Sequence, residues 1–259
     1  MGRPVLLLAV GFPAKRAAKR PARRLEIRIE SGIDFEATHV TYSVTARNRG
    51  DVAVRDVMIT PRVVRGPFVL DDPPKAVPLL EPGEFGTAAF RIVAKTEPAE
   101  VELAARVRYF ERETGRRHEV SAPPMRVDLR PPATRPVYLD PAALEERASR
   151  SFSVQEEFEL PYNAERAFPV VESALAREGL ENVEELTFVG RGSFVGQVSF
   201  HGLDRRKASY AVRAIASRRD GTSTLRLLVF VQAEESLFGF AWRVREAVRR
   251  ALGLAPHPS

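Results

Sequence analysis

The spacing of apolar residues changes period near residue 130. Upstream, short runs alternate apolar and polar positions and are broken by Gly, Pro and Asp, which predicts β-strands. Residues 25–29 alternate. So do residues 39–47, where Val40, Tyr42, Val44 and Ala46 share one face and Thr41, Ser43, Thr45 and Arg47 the other. Asn48-Arg49-Gly50-Asp51 supplies turn chemistry, because Asn and Gly tolerate positive φ. Further strands are predicted at 52–60, 68–70, 85–94, 101–110 and 118–129. Pro123-Pro124 confines the middle of the last one to an edge or a bulge. About seven or eight strands in about 105 residues predict an immunoglobulin-like β-sandwich over 25–129.

A proline-rich stretch, Arg130-Pro131-Pro132-Ala133-Thr134-Arg135-Pro136, then predicts a linker over 130–141. Asp140-Pro141 can start a short helix over 142–149. Residues 151–160 read as a strand in which Phe152, Val154 and Phe158 alternate and Glu156 breaks the pattern. Asn163 caps a predicted helix that runs through Glu178 and is closed by Gly179. Pro169 should kink that helix or mark its start. Strands follow at 183–189, 193–200, 207–217 and 222–233, joined by hairpin turns. The last of these is nearly continuous in apolar residues and should lie inside the sheet. Ser236 caps a final helix whose Leu237, Phe240, Ala241, Val244, Val248 and Ala251 follow the i, i+3, i+4 rule. Residues 142–253 thus predict an α+β platform: an antiparallel sheet with helices on one face. Residues 1–24 and 254–259 are read as tails.

Charge changes the picture only at the amino terminus. The net charge is +6, from 40 basic and 34 acidic residues. Residues 1–24 carry seven of the basic ones and no acid, which leaves 33 against 34 in the rest of the chain. A broad nucleic-acid-binding face is therefore not implied. The apolar run Val5-Leu6-Leu7-Leu8-Ala9-Val10 precedes the basic cluster, the reverse of a secretory signal. The expectations are a basic tail, a contact of Lys15, Arg16, Lys19, Arg20, Arg23 and Arg24 with an anionic membrane surface at about 1 kcal/mol each, or the end of a truncated membrane anchor. Each membrane reading puts the folded part in the cytoplasm. Cysteine is absent, which removes disulfides and thiolate metal sites.

Catalytic chemistry has little to stand on. None of His39, His118, His201 and His257 has metal-ligand spacing to another. Gly190-Arg191-Gly192-Ser193-Phe194-Val195-Gly196 precedes a strand, so it predicts a hairpin turn rather than a phosphate cradle. Asp71-Asp72 with Asp51 could form a loop calcium site, but Asp-Asp-Pro-Pro is turn chemistry by itself. No catalytic residue, metal or cofactor is expected, and no enzyme. The candidate binding residues lie on the last helix. With 100° per residue from Leu237, Phe238 falls near about 100° and Trp242 near about 140°, off the apolar stripe. Arg245 and Arg249 stand beside them, giving an arginine-rimmed aromatic pair suited to a peptide or protein partner. The competing expectation is that these rings fill the seam between the two halves.

Several stretches resemble the appendage ("ear") of clathrin-adaptor and coatomer large subunits, nearest the coatomer gamma subunit. "FGTAAFRIVA" and "VELAARVRYFERETGRRHEV" are similar to its late sandwich strands. "EEFELPYNAERAFPVVESALAREGL", "FVGQVSFHG" and "YAVRAIASRRDGTSTLRLLVFVQAEES" are similar to its platform. The resemblance covers about residues 85–255 and implies a non-enzymatic hub that captures short peptide motifs of other proteins. Those relatives reach the appendage through a hinge from a helical solenoid; here a basic tail stands instead. A rival resemblance, carried by "ELPYNAERAFPVVESAL", is to the helix-grip fold, and implies a carrier of an apolar ligand. A membrane-anchored immunoglobulin-like protein is the remaining expectation.

Overall fold

The computed structural model describes residues 24–36 and 39–254. The chain is β-rich with an α+β part, and all its strand pairs are antiparallel. The first sheet contains β1 (Ile27–Phe35), β2 (Val40–Asn48), β4 (Phe68–Leu70) and β6 (Phe85–Ala94), ordered β1-β2-β6-β4. The second contains β3 (Val54–Arg65), β5 (Lys75–Leu80), β7 (Glu100–Glu111) and β8 (Arg117–Ser121), ordered β5-β3-β7-β8. β9 (Met125–Asp128) continues the edge beside β7 after the break at Pro123-Pro124. The inward residues of both sheets, among them Val40, Tyr42, Val44, Ile59, Phe90, Ile92, Leu103 and Val107, share one buried core.

Proline explains two differences from the expected strands. β5 has no sequence prediction behind it because Pro78 interrupts it; the strand is an outer one, where a missing donor is tolerated. β3 runs on past Pro61 to Arg65. Its pairing with β5 stops at Ile59, so beyond it Pro61 has only β7 as a neighbour. Asn48 sits in the expected turn but is fully buried: its amide donates to Val52 O and Leu80 O at 2.9 and 3.0 Å.

The third sheet contains β10 (Arg135–Pro136), β11 (Phe152–Glu159), β12 (Glu181–Gly190), β13 (Ser193–Leu203), β14 (Ser209–Arg219) and β15 (Thr222–Val231). Its order is β10-β13-β14-β15-β11, with β12 sharing the β13 edge with β10. The apolar β15 lies inside the sheet, as its sequence requires. α2 (Ala164–Ala176) and α3 (Leu237–Ala251) cover one face, where Phe168, Phe194, Phe200, Tyr210 and Phe240 fill the core. Pro169 lies inside α2. The expectation of helices on one face only is corrected by α1 (Pro141–Ala148). Its Leu144 packs with Ala211, Val183 and Phe230, and Ala211 and Phe230 belong to the opposite side of the sheet. Ser236 makes no capping bond at α3; its hydroxyl accepts from Tyr210 OH at 3.1 Å.

The proline-rich stretch is a strap held at several points. The Arg243 guanidinium donates to Pro132 O and, at 2.8 Å, to Thr134 Oγ1. Thr134 Oγ1 donates to Glu178 O at 3.1 Å, and Arg135 and Pro136 pair with Leu203 and Gly202 of β13. Gly239 of α3 lies so near this stretch that a Cβ there would come within 2.6 Å of Leu129 O.

Candidate functional site

The four residues singled out on α3 do not form one exposed patch. Phe238 is 1% exposed and belongs to the core of the first two sheets, its ring 6.5 Å from Phe68. It is the side chain through which α3 plugs into the other half. Arg245 is 3% exposed and donates from Nη1 to Glu156 Oε1 at 3.1 Å. Glu156 is the residue that broke the alternation of β11, so one misplaced polar residue gives the other a partner, with Glu246 Oε1 3.9 Å from Arg245 Nε on the other side. Arg249 lies over the Phe158 ring, 5.8 Å from its centre. Trp242, one turn beyond Phe238, is half-buried. Burial of Phe238 and Arg245 removes both from any docking surface, which corrects the arginine-rimmed aromatic pair in that position.

Lys15, Arg16, Lys19, Arg20 and Arg23 lie outside the described residues. Arg24 pairs with Glu26, and its amide donates to Asp51 Oδ1 at 2.6 Å. Asp72 accepts from the Arg91 amide and lies 3.6 Å from Lys75 Nζ, so two of the three aspartates considered for a loop ion, Asp51 and Asp72, accept backbone amides. Among the described residues, no group of three or more His, Asp or Glu is placed to hold a metal, and no helix is long and apolar enough to cross a membrane.

An arginine-rimmed apolar surface does exist, on the outer face of the second sheet. A trough of about 690 Å³ runs across β3, β7 and β8. Ala104 and the 40%-exposed Val64 are its outward apolar side chains, Ala105 and Ala122 reaching it only from the core behind, and Arg62, Arg106, Arg108 and Arg117 surround them. Arg106 and Arg117 share Glu119, at 3.1 and 3.5 Å. Arg62 and Arg108 have no carboxylate partner among the described residues. Alternation in β3 and β7 puts Arg62, Arg106 and Arg108 outward by the same rule that buries Ile59 and Val107. That signal is visible in the sequence, but the neighbourhood of three strands is not.

A second cavity, about 520 Å³, lies beside α1 and is lined by Arg147, Arg150, Lys207, Glu146, Ser151, Ser209, Gln232 and Ala143. Behind it His201, fully buried, has Nδ1 2.8 Å from Val137 O and Nε2 3.0 Å from Ser209 Oγ. The carbonyl fixes the proton on Nδ1, so Nε2 accepts from the serine. Burial pushes His201 below its ordinary value of 6.5, against the Val137 hydrogen bond and with the charge of Arg147. A serine on an oriented imidazole resembles a nucleophile and its base. Here, however, the Ser209 amide donates to Gln232 Oε1 and its carbonyl accepts from the Gln232 amide. With those groups engaged, the serine is tied into the sheet, and the pair fastens the strap to β13 and β14.

The third feature is the outer edge of β12. Leu186, Phe188 and Val189 are 53%, 66% and 68% exposed, and Val195, opposite Phe188 on β13, is exposed too.

No protein-family model matches the chain, and no curated protein matches it. Among solved structures it is similar to native alpha-2-macroglobulin from Escherichia coli, from domain MG7 to the C-terminus. That likeness has 15% identity over 59% of this chain, with a TM-score of 0.32, and the chain spans 26% of that one. It is also similar to the E. coli chaperone DraB, at 14% identity over 71% of this chain and 94% of that one, with a TM-score of 0.26. Both likenesses are too distant to assign a fold family or a role.

Proposed function

We propose that this protein is a non-enzymatic protein-interaction module, with an immunoglobulin-like sandwich followed by an appendage-like α+β platform. In this reading it captures an acidic, partly apolar peptide segment in the trough on the second sheet. One observation carries the proposal: Arg62 and Arg108 stand beside the outward Ala104 and Val64 with no carboxylate partner of their own among the described residues. Unpaired guanidinium groups over small apolar side chains favour a ligand bearing carboxylates and short apolar residues. Their fixed fork takes a carboxylate through two hydrogen bonds. Helical spacing pointed to Phe238, Trp242, Arg245 and Arg249 of α3. Burial of Phe238 and Arg245 moves the favoured surface to the sandwich. A cytoplasmic position beside a membrane belongs to the same proposal and rests on the basic residues 15–24.

The carrier alternative receives no support from the packing, since aromatic side chains occupy the space between α2, α3 and the sheet. The test is selection from a displayed peptide library rich in Asp, Glu and Leu, followed by anisotropy titration. The double variant Arg62→Glu/Arg108→Glu should weaken binding by roughly 3 kcal/mol, at the low end of hot-spot losses, while Arg205→Glu on a distant turn should not. Equal affinity of the double variant and the parent would sink the proposal. So would selection of no acidic peptide.

A further inference from the structure

We propose that this protein self-associates through β12, two copies pairing edge to edge as antiparallel strands so that their third sheets become one. β12 is hydrogen-bonded to β13 on one side, and no strand covers its other side from residue 184 to 190. Alternate residues of such a strand turn their N–H and C=O groups outward. Natural edges are usually blunted by shortness, Pro, Lys, a bulge or charge. The one bulge of β12 lies between Asn182 and Glu184; from Glu184 to Gly190 the register with β13 is unbroken. That stretch holds neither Pro nor Lys and exposes Leu186, Phe188 and Val189. The opposite edge, β11, presents Gln155, Glu157 and Glu159, with Glu157 3.7 Å from Arg226.

The occupant is a second copy because the edge is complementary to itself. Glu184 and Glu185 stand at its start and Arg191 at its end, and none of the three has an ion-pair partner among the described residues. A two-fold axis through Phe188 sets that ring against its own copy and Thr187 opposite Val189. It also brings Glu185 within reach of the second copy's Arg191, twice over. Such an isologous contact closes the pair, because each copy's β12 edge is used by the other. Opposite charges facing across strands favour this register, and like charges oppose it.

The full chain is expected to sediment as a concentration-dependent dimer. Glu185→Arg and Arg191→Glu, each alone, should weaken dimerisation roughly ten-fold or more. The double swap Glu185→Arg/Arg191→Glu should restore it. Phe188→Lys should give a monomer with unchanged far-UV circular dichroism. A parent that stays monomeric at all concentrations overturns the proposal, and so does a dimer that survives Phe188→Lys. A single charge reversal without effect, or a double swap without rescue, overturns the paired register. Acidic-peptide capture in the trough is read separately and is independent of these outcomes.

Discussion

Buried polar side chains are distributed unequally between the two halves of the molecule. The half built from β1 to β9 encloses one, Asn48, whose bonds stay within its own turn and the end of β5. The half built from β10 to α3 encloses Ser199, His201, Ser209, Ser223 and Arg245. His201, Ser223 and Arg245 join segments far apart in sequence, while the Ser199 and Ser209 hydroxyls bond within the β13–β14 hairpin. His201 and Ser209 hold the strap, Ser223 Oγ accepts from the Ala164 amide at the start of α2, and Arg245 ties α3 to β11. Two facing sheets bury apolar rows by alternation alone. A sheet covered by three helices from different parts of the chain needs fixed points, and polar pairs supply them because an unmatched one is costly. The first half is sealed by pattern and the second by specific contacts.

The sharpest way to break that contrast is at Phe238, the apolar residue that belongs to both. Its ring lies in the core of the first half but is carried by a helix of the second. Phe238→Ala should cost about 3–5 kcal/mol, the usual range for emptying a buried phenylalanine site. It should also separate the unfolding of the two halves. Urea unfolding followed by Trp242 fluorescence, which reports on α3, and by far-UV circular dichroism checks both outcomes. Coincident transitions with little loss of stability would mean that the seam contributes little.

The next effect concerns the fixed points themselves. Arg245→Ala leaves Glu156 facing an apolar interior, and should cost about 2–4 kcal/mol, near the range for breaking a buried pair. Arg245→Met combined with Glu156→Gln should recover part of that, because the Glu156 charge is gone while Glu246, 3.9 Å from Arg245 Nε, still loses its cation. A double variant as unstable as Arg245→Ala would show that shape rather than charge matters there.

Sequence reading found most of the strands of both halves, because alternation and turn residues act locally. It ended β3 at Pro61 and passed over β5, since both depend on which strand lies alongside a proline. It assigned all helices to one face, because nothing local says that Leu144 of α1 meets Phe230 rather than Phe240. It marked Phe238 as off the apolar stripe and offered the seam as one of two places for that ring; nothing local decides between the seam and an exposed patch. Glu156 in a strand face and Arg245 in a helix flank were each visible as anomalies, and their pairing was the available signal. Residues 183–189 read as a strand, but the exposure of Leu186, Phe188 and Val189 depends on what fails to pair with that edge. The arginines of the trough were lost in a chain where Arg outnumbers Lys 35 to 5.

The smallest effect expected from the fixed points is the pH dependence set by His201. Burial is the main cause of its lowered pKa, so the folded state keeps the imidazole neutral where the unfolded chain takes up a proton. Above its ordinary value of 6.5 both states are neutral and the contact with Val137 and Ser209 contributes in full. As the pH falls below 6.5 the unfolded state binds more protons, and stability declines until the folded imidazole also titrates. Urea midpoints measured from neutral pH to about pH 5 should therefore fall more steeply for the parent than for His201→Asn, which cannot titrate. The other histidines are common to both proteins and cancel in the difference. Parallel pH profiles would mean that His201 protonates freely in the folded state, and the strap would then not depend on a neutral imidazole.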